Sequence, residues 1–69
     1  MTPIKIGQIR HDKYCNFFYL VAEDIGDRQY SIIPLNDTRS FKSFDKVDLS
    51  WFNIENDELL DDPQQKERY

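Results

Sequence analysis

The sequence predicts a mainly-β fold: a four- or five-stranded antiparallel sheet, or the same strands rolled into a small barrel, with a short C-terminal helix. Three observations predict it. Short apolar or alternating runs recur at 4–10, 17–22, 28–35 and 46–52. Clusters of Asp, Asn, Ser and Gly separate them, as turn chemistry requires. The one stretch with helix-like spacing comes late, over 53–60.

The first strand is expected over 4–10, where Ile4 and Ile6 share a face. Gly7 interrupts the alternation and reads as a bulge, past which Ile9 rejoins the inner face. The polar segment 11–16 reads as a loop. It holds the only histidine and the only cysteine, His11 and Cys15, four positions apart. Such a pair can form a base and a nucleophile. No orienting acid other than Asp12 and no oxyanion-hole motif accompanies it, so the plain reading is a surface loop.

The stretch 17–22 is the central strand. It is too short for a helix and rich in aromatic and branched residues. One face carries Phe17, Tyr19 and Val21, the other Phe18, Leu20 and Ala22. Both faces are apolar, so the strand is covered on both sides or one face receives a partner. Gly26, with Asp24 and Asp27, predicts a hairpin loop of four or five residues before the alternating strand 28–35. Pro34 cannot donate to a ladder and marks a strand end or an edge.

A turn cluster follows over 36–40. The segment 41–44 is ambiguous, since Phe41 and Phe44 fall on opposite faces of a strand but on one face of a helical turn. In 46–52, Val47, Leu49 and Trp51 alternate with Asp48, Ser50 and Phe52, which predicts the last strand. Acids at Glu55, Asp57 and Glu58 suit the first turn of a helix over 53–60, with Asn53 or Asn56 as its cap. Pro63 disfavours helix at the residue before it. The reading is one domain over 1–62 and a disordered tail over 63–69. From strand number and spacing the class resembles small SH3-like barrels. An α+β roll, with the helix laid on the sheet, is the runner-up.

Composition narrows the function classes. With a single cysteine, no disulfide forms within the chain, and one Cys and one His cannot supply a zinc site without carboxylates. The lone thiol suits a reducing compartment. No apolar run approaches the ~20 residues that span a bilayer, and the N-terminus lacks a signal-peptide pattern. A soluble, cytoplasmic protein is expected, of a size that suits a phage or mobile element. No phosphate loop, nucleophile elbow, HExxH or paired CxxC occurs, so no enzyme activity, cofactor or metal is expected.

Charge is uneven. Residues 1–46 carry seven basic and six acidic side chains, and residues 47–69 carry two and seven, which sum to the net −4. The expected function is a non-enzymatic protein-binding module, an accessory or inhibitor protein docking a larger partner. Tyr19, Trp51, Phe52, Leu59 and Leu60 are its candidate anchors beside an acidic tail. The alternative is a nucleic-acid-binding barrel with a basic and aromatic face of Arg10, Lys13, Tyr14, Arg28, Tyr30, Arg39 and Lys42. A third reading is an acidic mimic of nucleic acid built from Asp45, Asp48, Glu55, Asp57, Glu58, Asp61 and Asp62.

Overall fold

A computed structural model describes residues 3–63. Five strands and one helix follow in the order β1 (Ile9–Asp12), β2 (Phe17–Gly26), β3 (Gln29–Pro34), β4 (Val47–Ser50), α1 (Trp51–Asn56) and β5 (Glu58–Asp61). They form one open antiparallel sheet of order β4-β3-β2-β1-β5. The mainly-β expectation therefore holds at the level of an open sheet with one short helix. The expected tail over 63–69 lies, apart from Pro63, outside the described residues. No helix among the described residues is long and apolar enough to cross a membrane.

β2 is the middle strand, as its doubly apolar sequence requires. Phe17, Tyr19 and Val21 are buried on the inner face, where they join Ile32 of β3 and Ile54 of α1 in the core. Phe18, Leu20 and Ala22 are only half-buried on the outer face. The strand runs four residues further than expected, to Gly26. Its hairpin is a two-residue turn, Asp27-Arg28, with φ of 56° and 59°. Positive φ at both positions is what a type I′ turn demands, and that turn matches the twist of the flanking strands. The sequence pointed instead to a longer loop around Gly26. That glycine closes the strand, opposite Gln29, with φ 86°.

The sheet is strongly bent. The β2–β3 register shifts between Val21 and Glu23 and again between Asp24 and Gly26, and the β1–β5 register shifts between Ile9 and Arg10. Such bulges add bend and twist. The connection of the edges demands it. Five flat strands would separate the outermost pair by about 19 Å at ~4.8 Å per step. The six-residue helix that joins them, with Asp57, covers only about 12 Å. β4 and β5 are thus drawn toward each other, and α1 lies across the open end of the core.

Two expected elements are corrected. The first strand begins at Ile9, not residue 4, and includes His11 and Asp12. Gly7 (φ 95°) turns the chain before it, and a Cβ there would meet Pro63 Cγ at 3.0 Å. Gln8 and Arg10, not Ile9, face inward. The helix expected over 53–60 begins at Trp51 and ends at Asn56, and Glu58–Asp61 is a strand. The helix is therefore internal, not C-terminal. Its acids lie at its C-terminal end, with Asp57 as the C-cap and no acid in the first turn. That end is neutralised from β1: Arg10 Nη1 donates to Ile54 O at 3.0 Å. Cationic donors suit the last carbonyls of a helix.

Candidate functional site

The concave side of the sheet is incompletely filled. Where β1, the 13–16 turn, the 36–45 loop and α1 meet, they enclose an open groove of about 610 Å³. Its floor is apolar: Phe17 from β2, Leu49 from β4 and Phe41 from the loop. The Phe17 and Phe41 rings stack with centroids 4.9 Å apart. Its rim is polar: Asp12 and Lys13, Asn53 and Asn56 of α1, then Asp57 and Glu58. A few polar groups around an apolar floor is the usual make-up of a binding site of this size.

Local hydrogen bonds hold each wall in place. Asp12 Oδ1 accepts from Tyr14 N at 2.9 Å, which fixes a tight turn and projects Tyr14 fully into solvent. Asn36 extends the sheet with its side chain: Oδ1 accepts from Phe18 N at 2.8 Å, and Nδ2 donates to Asn16 O at 2.9 Å. Thr38 Oγ1 accepts from Ser40 N and Phe41 N, and Asp37 Oδ1 accepts from Ser43 N at 2.7 Å. The Ser43 bonds hold the Asp37 carboxyl below its ordinary value. These bonds set Phe41 against Phe17, while Phe44, at φ 69°, turns out to solvent.

The charged rim has a definite pattern. Asp57 Oδ2 accepts from the Tyr19 hydroxyl, and Oδ1 has no hydrogen-bond partner among the described residues. Burial raises the Asp57 carboxyl above its ordinary value, against the pull of Tyr19 and Arg10. Burial and the Asp57 bond also push the Tyr19 phenol far up, so it is a neutral donor. Glu58 is held by His11 Nδ1 at 3.2 Å and, loosely, by Lys13 Nζ at 3.9 Å. His11 Nε2 lies 3.0 Å from Asn16 Oδ1, and its ring stacks on Phe18 at 4.1 Å. Both ring nitrogens thus face other partners than Cys15, and no nucleophile–base pair is assembled there.

The residues singled out from sequence are dispersed. Arg10 and Tyr19 leave the surface altogether, at 1% and 0% exposed. Arg10 is a structural clamp that donates to Gln8 Oε1, Pro3 O and Ile54 O, so it offers nothing to a phosphate, and Tyr19 offers no face to a partner. The reason is the inward register of β1, in which Arg10 sits directly opposite Tyr19. Tyr30 packs on the core. Arg28, at the hairpin tip, lies 5.9 Å from the Trp51 ring, which meets Phe52 edge-on. Leu59 is half-buried and Leu60 exposed, on opposite faces of β5. Lys13, Tyr14, Arg39 and Lys42 are exposed, and a smaller recess of about 360 Å³ brings Tyr14 and Arg39 together beside Cys15. Of the acids, Asp48 lies on β4, Glu55 on α1 and Asp61 on β5, so they span both edges of the sheet. Asp62 Oδ2 accepts from Gln8 Nε2.

Of the groove, sequence reasoning missed Asp12, Phe17, Leu49, Asn53 and Asn56 as site residues and gave Asp57 and Glu58 to another role. One signal was there: 53, 56 and 57 share one face of a helix by spacing alone. Comparisons of the chain with protein-family models, curated proteins and solved structures found no match.

Proposed function

We propose that this chain is a non-enzymatic protein-binding module that receives a segment of a larger partner in the groove between β1, α1 and the 36–45 loop. The observation that carries this reading is the groove itself: a stacked aromatic floor of Phe17 and Phe41, a rim of carboxylates and carboxamides, and Tyr14 standing at the mouth. Buried apolar anchors ringed by polar groups are how small interfaces gain affinity. Trp51 and Phe52 at the start of α1, and Leu60 on the outer face of β5, lie outside the groove. The strand order and the short helix joining both edges support a partly closed barrel of the SH3-like type.

The test is capture of a partner from host lysate on the tagged protein, with and without nuclease, compared with an Asn53→Arg variant that fills the rim. A stoichiometric protein retained after nuclease and lost with the variant supports the reading. Equal capture by the variant sinks it.

Nucleic-acid binding is the second reading, and one observation favours it: Tyr14 and Arg39 line the smaller recess together, with Lys13 next to Tyr14 in sequence. In this reading a single strand stacks on Tyr14 beside Arg39. Capture that collapses with nuclease, and affinity that falls steeply with salt, would support this alternative.

A further inference from the structure

We infer that the groove receives an arginine side chain carried by the partner protein, its guanidinium against Asp57 and Asp12 and its aliphatic stem along Phe17 and Phe41. This deepens the proposed function and rests on it. The first argument is charge. The groove is lined by three carboxylates, Asp12, Asp57 and Glu58, against the Lys13 ammonium and the His11 imidazole, which leaves one net negative charge even when His11 is protonated. Glu58 is already held by His11 and Lys13. The Lys13 contact is long and solvent-exposed, which makes it weak and displaceable. A polyanion would be repelled from this space, and a cation attracted.

The second argument is the state of Asp57. Tyr19 occupies one of its oxygens from below, and the other has no partner among the described residues although the side chain lines the groove. A carboxylate part-way out of water, with one oxygen already oriented, gains most from a charge-assisted donor. The groups facing it are Tyr19, Arg10, Asp12 and His11. Arg10 donates to Ile54 O, Gln8 Oε1, Pro3 O and, at 3.5 Å, the backbone oxygen of Asp57, and its charge acts on the Asp57 carboxylate. These charges meet part of the electrostatic demand at Asp57, and Oδ1 is the position at which an incoming donor adds a hydrogen bond.

The third argument selects the cation. Among the described residues no three His, Cys, Asp or Glu side chains are placed to hold a metal ion. The floor beneath the acids is aromatic, and an arginine lays its aliphatic stem along such a floor while its planar fork addresses carboxylates. Asn53 and Asn56, on the helical side, present carboxamides that can bond the partner's backbone beside the anchor.

The experiment uses the full chain, ¹⁵N-labelled, titrated with acetyl-Phe-Arg-Leu-amide and with the same peptide carrying citrulline for arginine. Citrulline keeps the shape and removes the charge. The arginine peptide should perturb the amides of Asp12, Tyr14, Asn53, Asp57 and Glu58, and the citrulline peptide should bind about tenfold more weakly. Asp57→Asn should erase most of that difference, while Asp48→Asn, which removes a carboxylate outside the groove, should preserve it. Equal affinity of the two peptides overturns the arginine inference and leaves groove docking standing. Perturbation by neither peptide also overturns it. The lysate capture with Asn53→Arg then decides separately whether the docking reading falls with it.

Discussion

Arg10 shows how a single side chain sets the relation between sheet and helix. Its guanidinium is buried and donates to Gln8 Oε1 at 2.9 and 3.1 Å, to Ile54 O at 3.0 Å and to Pro3 O at 3.2 Å. Arg10→Met removes every one of these donors and strands buried acceptors, at roughly 3 kcal/mol or more in total. A chain of this length has only about 3–10 kcal/mol of stability, so urea denaturation should find the variant largely unfolded or close to it. Arg10→Lys should fall between, because an ammonium cannot fork to all three sites. A midpoint unchanged in Arg10→Met would mean that β1 and α1 are held by apolar packing alone. His11 acts at the same scale but titrates. Its hydrogen bonds to Glu58 and Asn16 raise it above 6.5. Both partners are acceptors, so only the imidazolium satisfies both at once. A raised folded value means that its stabilisation is complete below 6.5 and is lost as pH rises through that higher value. The melting temperature of the parent should therefore fall more between pH 6 and pH 8 than that of His11→Asn. Glu58→Gln should bring the His11 titration, followed by NMR, back toward 6.5.

At the scale of elements, backbone cost and packing compete most visibly in the loop before β4. Phe44 adopts φ 69° while 73% of it stays exposed, and its N donates to Pro34 O at 2.7 Å. The left-handed region costs an ordinary residue roughly 1–2 kcal/mol and costs asparagine less. Phe44→Asn keeps the backbone donor, loses little buried area, and should raise stability by about 0.5–1 kcal/mol. Thermal unfolding would register that as a rise of a few degrees, and a clear fall would show that the Phe44 ring has contacts worth more than its backbone cost. Elements were legible wherever burial alone decided them. The apolar run at 17–22 announces a middle strand, and Val47-Asp48-Leu49 announces a strand with one polar face. They were illegible where a tertiary partner decided. Residues 58–61 form a strand because β1 offers them an edge, whereas their acids and Leu59-Leu60 read equally well as helix. Arg10 reads as a surface cation until Ile54 and Gln8 supply its acceptors.

For the whole molecule, the candidate site exists only because bent sheet, loop and crossing helix meet. Its floor comes from β2, β4 and the 36–45 loop, its rim from β1 and α1, so residues from 12 to 58 must come together to form it. Residue types could suggest aromatic anchors and acids, but not that Phe17 and Phe41 would stack or that Asp57 would stand over them. The same assembly sets a conflict between stability and binding at Asp57. Burial raises its carboxyl, so the folded state holds that proton more tightly than the unfolded chain does. The sign follows: near pH 3 both states carry the proton and Asp57 is neutral in its effect. As pH climbs above the ordinary carboxylate value of 3.8, the unfolded chain ionises first and the folded state loses ground, a loss complete above the raised folded value. Asp57→Asn removes this cost and keeps an oxygen to accept from Tyr19. Thermal melts should show the variant at least as stable as the parent at pH 7, with the gap closing toward pH 3, while affinity for a cationic peptide falls. Residues retained for function at the expense of stability behave in this way. A variant that is markedly less stable at pH 7 would place Asp57 among the structural groups with Arg10. Its carboxylate would then be a fastening for Tyr19 and not a receptor for a partner.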